Sequence, residues 1–396
     1  MTLSVLFVAL EDGRWGPARL PQEFARLGAD VAALCPAGNP ILASSHVGRK
    51  FVIANPKSAR SFAQGLRKAM DEAGPSLIVP GDEQAVVALH YQLRRGRLPA
   101  RHLEVLGASL GRADRLDTLL MKDQCLALAA AIGIPVPPSI TVADQASLAV
   151  AGEKLGFPLF VKSSFSWAGL GTIPCKDQGE AAQAFRDLSP RQARSPLKAL
   201  AKKLLARDWY PKSSAIQLQR PVAGVPAMFC AVAWKGRYLG GFAGLATQTS
   251  GATGPSTRVL VGPNAIFERH SAALIEATGA SGFLGFDFMW DEETQTATLL
   301  ECNPRPIQIC HLGDRIGADL CALLADALAG KPGQPHAPRQ SRDVTLFPQA
   351  WFAGQAGGLI KAGKLDAPVG DTGLWQFMLE AGAHRGLPPL KFEVLR

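Results

Sequence analysis

The stretch from Gly282 to Arg305 holds the residue types and spacing best suited to chemistry. Asp287 and Glu301 are equidistant from Thr294, inside the polar turn Asp291-Glu292-Glu293-Thr294-Gln295-Thr296. A symmetric hairpin therefore sets the two carboxylates opposite one another across two strands. Alternation puts Leu284, Phe286, Phe288 and Trp290 on one face and Asp287 on the other. Glu301 and Asn303 share a face, and Arg305 lies just beyond the strand end. Two carboxylates and an amide oxygen suit a hard Mg2+ ion that keeps water or phosphate in its remaining positions. Arg305 is then placed to meet charge growing on a transferred phosphoryl group. Without context, the same residues also describe a cross-strand pair on a solvated face, with Pro304 and Pro306 ending the strand.

A second group begins with the strand Phe157-Pro158-Leu159-Phe160-Val161-Lys162, which runs into a loop of small residues from Ser163 to Thr172. Such a loop lets backbone N–H groups approach phosphates closely. It is not a Walker A loop, because no Gly-Lys-Ser/Thr follows; a Gly/Ser hairpin turn is the plain alternative. Lys122 lies on a helix eleven residues before Gly133-Ile134-Pro135-Val136-Pro137, and alone reads as a solvated lysine. Three further residues are candidate substrate contacts. Arg258 can clamp a carboxylate with its two-pronged guanidinium, or sit in solvent. His311 follows the acidic strand, as a contact, a base or a structural histidine. Asp82 ends a strand, where open α/β sheets bind ligands, or caps the next helix.

The elements that must position these residues change character along the chain. Residues 1–107 alternate strand and helix: strands Ser4–Ala9, Asp30–Leu34 and Leu77–Pro80, helices Ala18–Leu27 and Lys57–Ala73, and another helix opening at Gly81-Asp82-Glu83. That rhythm predicts a parallel sheet covered on both faces. The first turn, Glu11 to Gly16, lacks a GxGxxG fingerprint, so nothing indicates a dinucleotide. A helix over Arg112–Ala131 stops at Gly133 and Pro135. Strand Ser139–Val142, helix Gln145–Leu155 and strand Leu159–Lys162 follow. From Lys212 the pattern turns β-rich, with Lys235-Gly236-Arg237 as a hairpin turn, and a Pro-rich link at Lys331 to Pro338 leads to a tail without evident chemistry.

Composition narrows the class. The 396 residues are 47% hydrophobic and 19% charged, which suits two or three globular domains. A mean hydropathy of +0.08 argues against disorder. No apolar run reaches the ~20 residues of a membrane span. The N-terminus has no basic region before its apolar stretch and reads as a first strand, so a cytoplasmic location is expected. Seven scattered cysteines without CxxC spacing indicate buried thiols. The net charge of +9 suits anionic ligands, but no basic run is interleaved with aromatics, so nucleic acid is not expected. The segment 191–207 carries six Lys or Arg with Leu197, Leu200 and Leu204 at helical spacing. It reads as a solvated amphipathic helix, or as a lid or docking site for something acidic.

Taken together and in order, "K-x10-GIPVP", "FPLFVK" with its glycine loop, "GFLGFDF" and "LLECNPRP" resemble the ATP-grasp superfamily. The likeness is greatest to the branch with biotin carboxylase and the large subunit of carbamoyl-phosphate synthase, and it spans roughly Arg112 to Pro332. It implies a Rossmann-like pre-ATP-grasp domain over 1–111, then an α+β ATP-grasp domain over 112–335 and a C-terminal extension over 336–396 that packs on it. Within the grasp domain, 112–187 would be the small lid-bearing part and 213–335 the metal-binding part. The resemblance implies that Lys122 and Lys162 hold the α- and β-phosphates of ATP. The loop Ser163–Gly171, with Ser163, Ser164, Ser166, Trp167, Ala168 and Gly169, would fold over them. Asp287, Glu301 and Asn303 would ligate one or two Mg2+, and Arg305 would contact the γ-phosphate or an acyl-phosphate. Adenine would be read by main-chain groups of Gln219, Arg220 and Val222.

Two departures stand out: Pro226 replaces the usual ribose-binding Glu, and Asp287 replaces the commoner Glu, one methylene shorter. The implied activity is ligation of a small-molecule carboxylate to an amine through an acyl-phosphate, releasing ADP and phosphate, with Arg305 and Lys162 as catalytic residues. Partners would be these substrates and, as the family allows, a second copy in a homodimer; no membrane partner is expected. Two other readings stay open: a non-catalytic or partner-dependent ATP-binding protein, and a bicarbonate-activating carboxylase component.

Overall fold

In the computed structural model the described residues are 3–13, 15–165, 171–189, 215–251, 254–331, 338, 340–355, 365–388 and 390. Four strands near the N-terminus, β1 (Ser4–Val8), β2 (Asp30–Cys35), β3 (Arg49–Val52) and β4 (Leu77–Pro80), form a parallel sheet in the order β3-β2-β1-β4. Its strands are near-continuous apolar runs because both faces are covered. Val5 and Phe7 enter a core shared with the main sheet, whereas Leu6 and Val8 pack with Phe62 and Leu66 of the helix Ala59–Ala73. The short β3 escaped the sequence reading, as its Arg49-Lys50 start carries little apolar signal.

A second, four-stranded antiparallel sheet has the order β5-β8-β6-β7, from β5 (Ser139–Val142), β6 (Leu159–Ser163), β7 (Thr172–Cys175) and β8 (Ile216–Gln219). Helices Gln145–Leu155 and Gln178–Leu188 cover one face. Strand β8, grouped by sequence with the metal-binding part, instead sits between β5 and β6 of this sheet. The segment 191–207 lies outside the described residues.

The main sheet has seven strands in the order β13-β12-β9-β10-β11-β14-β15. They are β9 (Val225–Trp234), β10 (Arg237–Thr249), β11 (Ser256–Gly262), β12 (Gly282–Asp291), β13 (Thr296–Asn303), β14 (Arg342–Leu346) and β15 (Leu365–Asp366). Lys235 and Gly236, both at positive φ, make the tight turn between β9 and β10. One face packs Phe286, Phe288 and Trp290 against Phe267 of the helix Ala265–Thr278, with Phe267 and Phe288 stacked at 4.8 Å. Each such buried ring contributes about 2–3 kcal/mol. The other face joins the N-terminal sheet and the tail. All seven cysteines are buried free thiols.

The tail contributes more than a cover. Strands β14 and β15 extend the main sheet, and Asp366 ties the tail to two other segments. It accepts from Arg19 at 3.0 and 3.1 Å, lies 2.5 Å from His311 Nε2 and pairs with Arg315 at 2.6 Å.

Candidate active site

The hairpin β12–β13 brings Asp287 opposite Glu301, as the spacing predicts. The route differs from a simple symmetric hairpin. Pairing from the turn runs Asp291↔Thr296 to Phe288↔Leu299, which alone would set Asp287 against Leu300. A bulge at Leu300 then restores Asp287↔Glu301 and Gly285↔Asn303. The Asn303 amide donates to Asp287 Oδ2 at 3.1 Å. Burial and the adjoining Glu301 push the Asp287 carboxyl up to about 8. Burial also pushes Glu301 upward, but Lys122, the hydrogen bond with Asp287 and Lys162 outweigh it and hold Glu301 at about 2. Two carboxylates crowded together, with an amide oxygen beside them, form an all-oxygen donor set whose repulsion a divalent cation would relieve. Among the described residues, no group of three or more His, Cys, Asp or Glu gathers as a metal set, so the site offers two carboxylates and an amide.

Two lysines flank this pair. Lys122 Nζ lies 2.9 Å from Glu301 Oε2. The helix expected over Arg112–Ala131 is in fact two, Leu116–Leu120 and Lys122–Ala131, with Met121 extended between them. The second helix starts at Lys122 because Ser164 caps it: Lys122 N–H donates to the Ser164 carbonyl at 2.9 Å, and Asp123 N–H to Ser164 Oγ at 3.2 Å. Lys162, on β6, donates to Gln219 Oε1 at 2.5 Å. Burial first, and then Lys122, lower its ammonium to about 8. Gln219 thus meets Lys162 through its side chain, while its amide nitrogen donates to Ser139 Oγ at 3.2 Å. Beyond it, the Arg220 carbonyl and Val222 N–H have no hydrogen-bond partner among the described residues, as a main-chain adenine contact requires. Gly224 holds φ +122 with its Cα against Trp290; a Cβ there would sit 2.5 Å from the Trp290 carbonyl oxygen.

Arg305 is buried at the cleft wall. It pairs with Glu83 Oε1 at 2.5 Å and donates to the Pro306 carbonyl at 3.0 Å. Its Nε is buried with no partner among the described residues, a donor left for an incoming oxyanion. Glu83, Lys162, Asp287, Glu301, Asn303 and Arg305 line one cleft of about 440 Å³. Pro226, Met228, Gly254–Ser256 and Gln308 complete its walls. Sequence reasoning passed over Glu83 in favour of its neighbour; a first helical residue directly after a parallel strand was the available signal. Met228 and Gln308 gave none.

Several expected contacts lie elsewhere. Asp82 is fully buried and accepts from the N–H groups of Leu10, Glu11 and Ala85 at 2.7, 2.9 and 2.7 Å, so it caps a helix and holds the β1 loop. Burial raises its carboxyl to about 7. His311 pairs with Asp366 in the tail junction rather than lining the cleft. Arg258 pairs with Asp343 of the neighbouring β14, 2.9 Å from its Nε; only the preceding Gly254–Ser256 reach the cleft. Ser164, expected at the phosphates, spends its hydroxyl on Asp123. Ser163 Oγ donates to the Phe165 carbonyl at 3.1 Å. Ser166, Trp167, Ala168 and Gly169 lie outside the described residues.

No family model matches the chain. In sequence it is 30% identical over 71 residues to a D-alanine–D-alanine ligase of Neisseria gonorrhoeae, covering 18% of this chain and 23% of that one. The match thus spans less than a quarter of the curated relative's length. In structure the chain is similar to the biotin carboxylase domain of Hydrogenobacter thermophilus 2-oxoglutarate carboxylase (TM-score 0.60, 16% identity, 85% of this chain and 72% of that one). It is also similar to carboxyaminoimidazole ribonucleotide synthase of Aspergillus clavatus complexed with ATP (0.60, 16%, 87% and 81%). A third is an L-amino acid ligase from Bacillus licheniformis (0.57, 15%, 88% and 81%). At these identities the likeness is one of fold, and the fold is the ATP-grasp fold expected from the motifs. No described helix is long and apolar enough to cross a membrane.

Proposed function

We propose that this chain is an ATP-dependent ligase that activates a substrate carboxylate as an acyl-phosphate for attack by an amine, releasing ADP and phosphate. The observation that carries this reading is the single cleft in which Asp287, Glu301 and Asn303 face Lys162 and Arg305, with Lys122 at 2.9 Å from Glu301. A free carboxylate is a poor electrophile because hydroxide leaves badly, and phosphorylation supplies a better leaving group. Asp287, Glu301 and Asn303 would hold Mg2+, which neutralises phosphate charge when bound. Lys122 and Lys162 would grip the phosphates of the co-substrate ATP, and Arg220 and Val222 would contact adenine through their main chain. Arg305 would offer its unpaired Nε to the oxyanion of the acyl-phosphate. The cleft contributes positioning and charge neutralisation more than proton transfer. We read residues 1–111 as the Rossmann-like pre-ATP-grasp domain, 112–335 as the grasp domain and 336–396 as the extension.

The test incubates the protein with Mg2+, ATP, pooled carboxylates and hydroxylamine, which traps an accessible acyl-phosphate as a hydroxamate. A hydroxamate present with the wild type and absent with Glu301→Ala supports the ligase and identifies the acid by its mass. ATP hydrolysis that depends on bicarbonate alone would replace this reading with the carboxylase one. Mg-ATP binding without turnover on any pool would replace it with a binding protein.

A further inference from the structure

A second groove, sharing no residue with the cleft, lies between the helices Ala59–Ala73 and Glu83–Arg95 on the N-terminal unit. Its volume is about 340 Å³. Arg60 and Arg67 stand on one face of the first helix, two turns apart, with the small Ala63 between them as floor. Arg95 and Arg97 close the other side, and no Asp or Glu lines the groove. Asp71 pairs with Arg101 at 2.5 Å and His102 at 3.2 Å, and Asp117 with Arg94 at 3.3 Å. Among the described residues none of the four groove arginines has a salt-bridge partner.

Helix-dipole compensation accounts for Arg95, which sits in the last turn of its helix, but not for Arg60, Arg67 or Arg97. Tyr91 steadies Arg95, whose guanidinium lies 5.3 Å from the ring and 2.8 Å from its hydroxyl. One further polar group faces the groove. Gln92 lines the groove, and its side-chain amide reaches the groove's solvent and makes no hydrogen bond among the described residues. A ligand oxygen in the groove would meet this amide directly.

We infer that this groove is a binding site for a small oligophosphate. Guanidinium groups match phosphate oxygens two at a time, and four of them favour several phosphates in one ligand. The volume lies near the lower end for small-molecule sites and suits a compact ligand over a polymer. The inference stands apart from the ligase reading, because it concerns a different face and different residues.

Calorimetric titration of the full chain with inorganic tripolyphosphate, without Mg2+ and at low ionic strength, tests it. Lys122→Ala/Lys162→Ala silences the cleft, and binding is expected to persist in that background. Adding Arg67→Ala/Arg95→Ala, both exposed and so tolerated by the fold, is expected to weaken it at least tenfold. Adding Gln92→Leu is expected to weaken it about threefold through the lost amide. Arg94→Ala/Arg101→Ala removes the same charge outside the groove and is expected to change affinity less than twofold. No binding once the cleft is silenced, or equal losses from the two arginine pairs, would overturn the site. A hexaglutamate peptide binding as tightly as tripolyphosphate would overturn the phosphate assignment.

Discussion

Glu83 and Arg305 stand 222 residues apart in the chain, yet their side chains meet at 2.5 Å in the wall of the cleft. One opens a helix of the N-terminal unit, and the other follows the last strand of the acidic hairpin. The pair therefore joins two parts of the fold at the point where a substrate anion would bind.

Because this pair is buried, removing one partner strands the other. Glu83→Leu is expected to lose about 3 kcal/mol of stability, and Arg305→Met a comparable amount. The double variant should lose clearly less than the sum. Urea denaturation of all four proteins closes the cycle, and additive losses would show the pair to be uncoupled.

Ser164 caps the helix that begins at Lys122. Ser164→Ala is expected to cost about 1 kcal/mol, as lost helix caps do. Lys122 keeps its bond to the main-chain carbonyl of residue 164, so the Tm gain given by Mg-ATP should be largely retained. Thermal melts with and without nucleotide measure both effects.

Burial, and then the neighbouring Lys122, lower the Lys162 ammonium to about 8. Only its charged form attracts phosphates, so ATP affinity of the free protein should be full below that pH and fall as pH rises through it. Lys162→Arg keeps its charge throughout and should flatten the profile. Equilibrium binding of ATP between pH 7 and 10 checks this, and parallel profiles for the two proteins would refute it.

Burial, offset in part by Asp366, pushes the His311 imidazole down to about 4. The unfolded chain takes up that proton near pH 6.5, before the folded one does, so stability falls as pH drops from 6.5 toward 4. Asp366 is pushed up by burial, but Arg19, His311 and Arg315 prevail and hold it well below the usual range. Its contribution is present above about pH 4 and is lost on further acidification. Both groups thus weaken the fold in acid. His311→Gln should reduce the slope between pH 6.5 and 4 by at most ~1.4 kcal/mol per pH unit. Denaturation series at several pH values provide the comparison.

Most of the longer elements and the acidic hairpin were legible from the residues alone. Alternating apolar residues, turn chemistry and the Asp287/Glu301 spacing act over a few residues, and local rules govern them. Even there the register was reached by a bulge at Leu300, which no count of residues reveals. What the tertiary structure decided was the choice among equivalent side chains. Arg258 pairs with Asp343, His311 with Asp366 and Arg305 with Glu83. The helix break at Met121 likewise depends on Ser164, 41 residues further on for its side-chain bond. Ion pairs and caps are settled by which segments the folded chain brings within about 3 Å, and a sequence carries many arginines and carboxylates that could serve. Local pattern therefore specified the strands and the metal-type pair, and long-range packing determined which neighbours hold them in place.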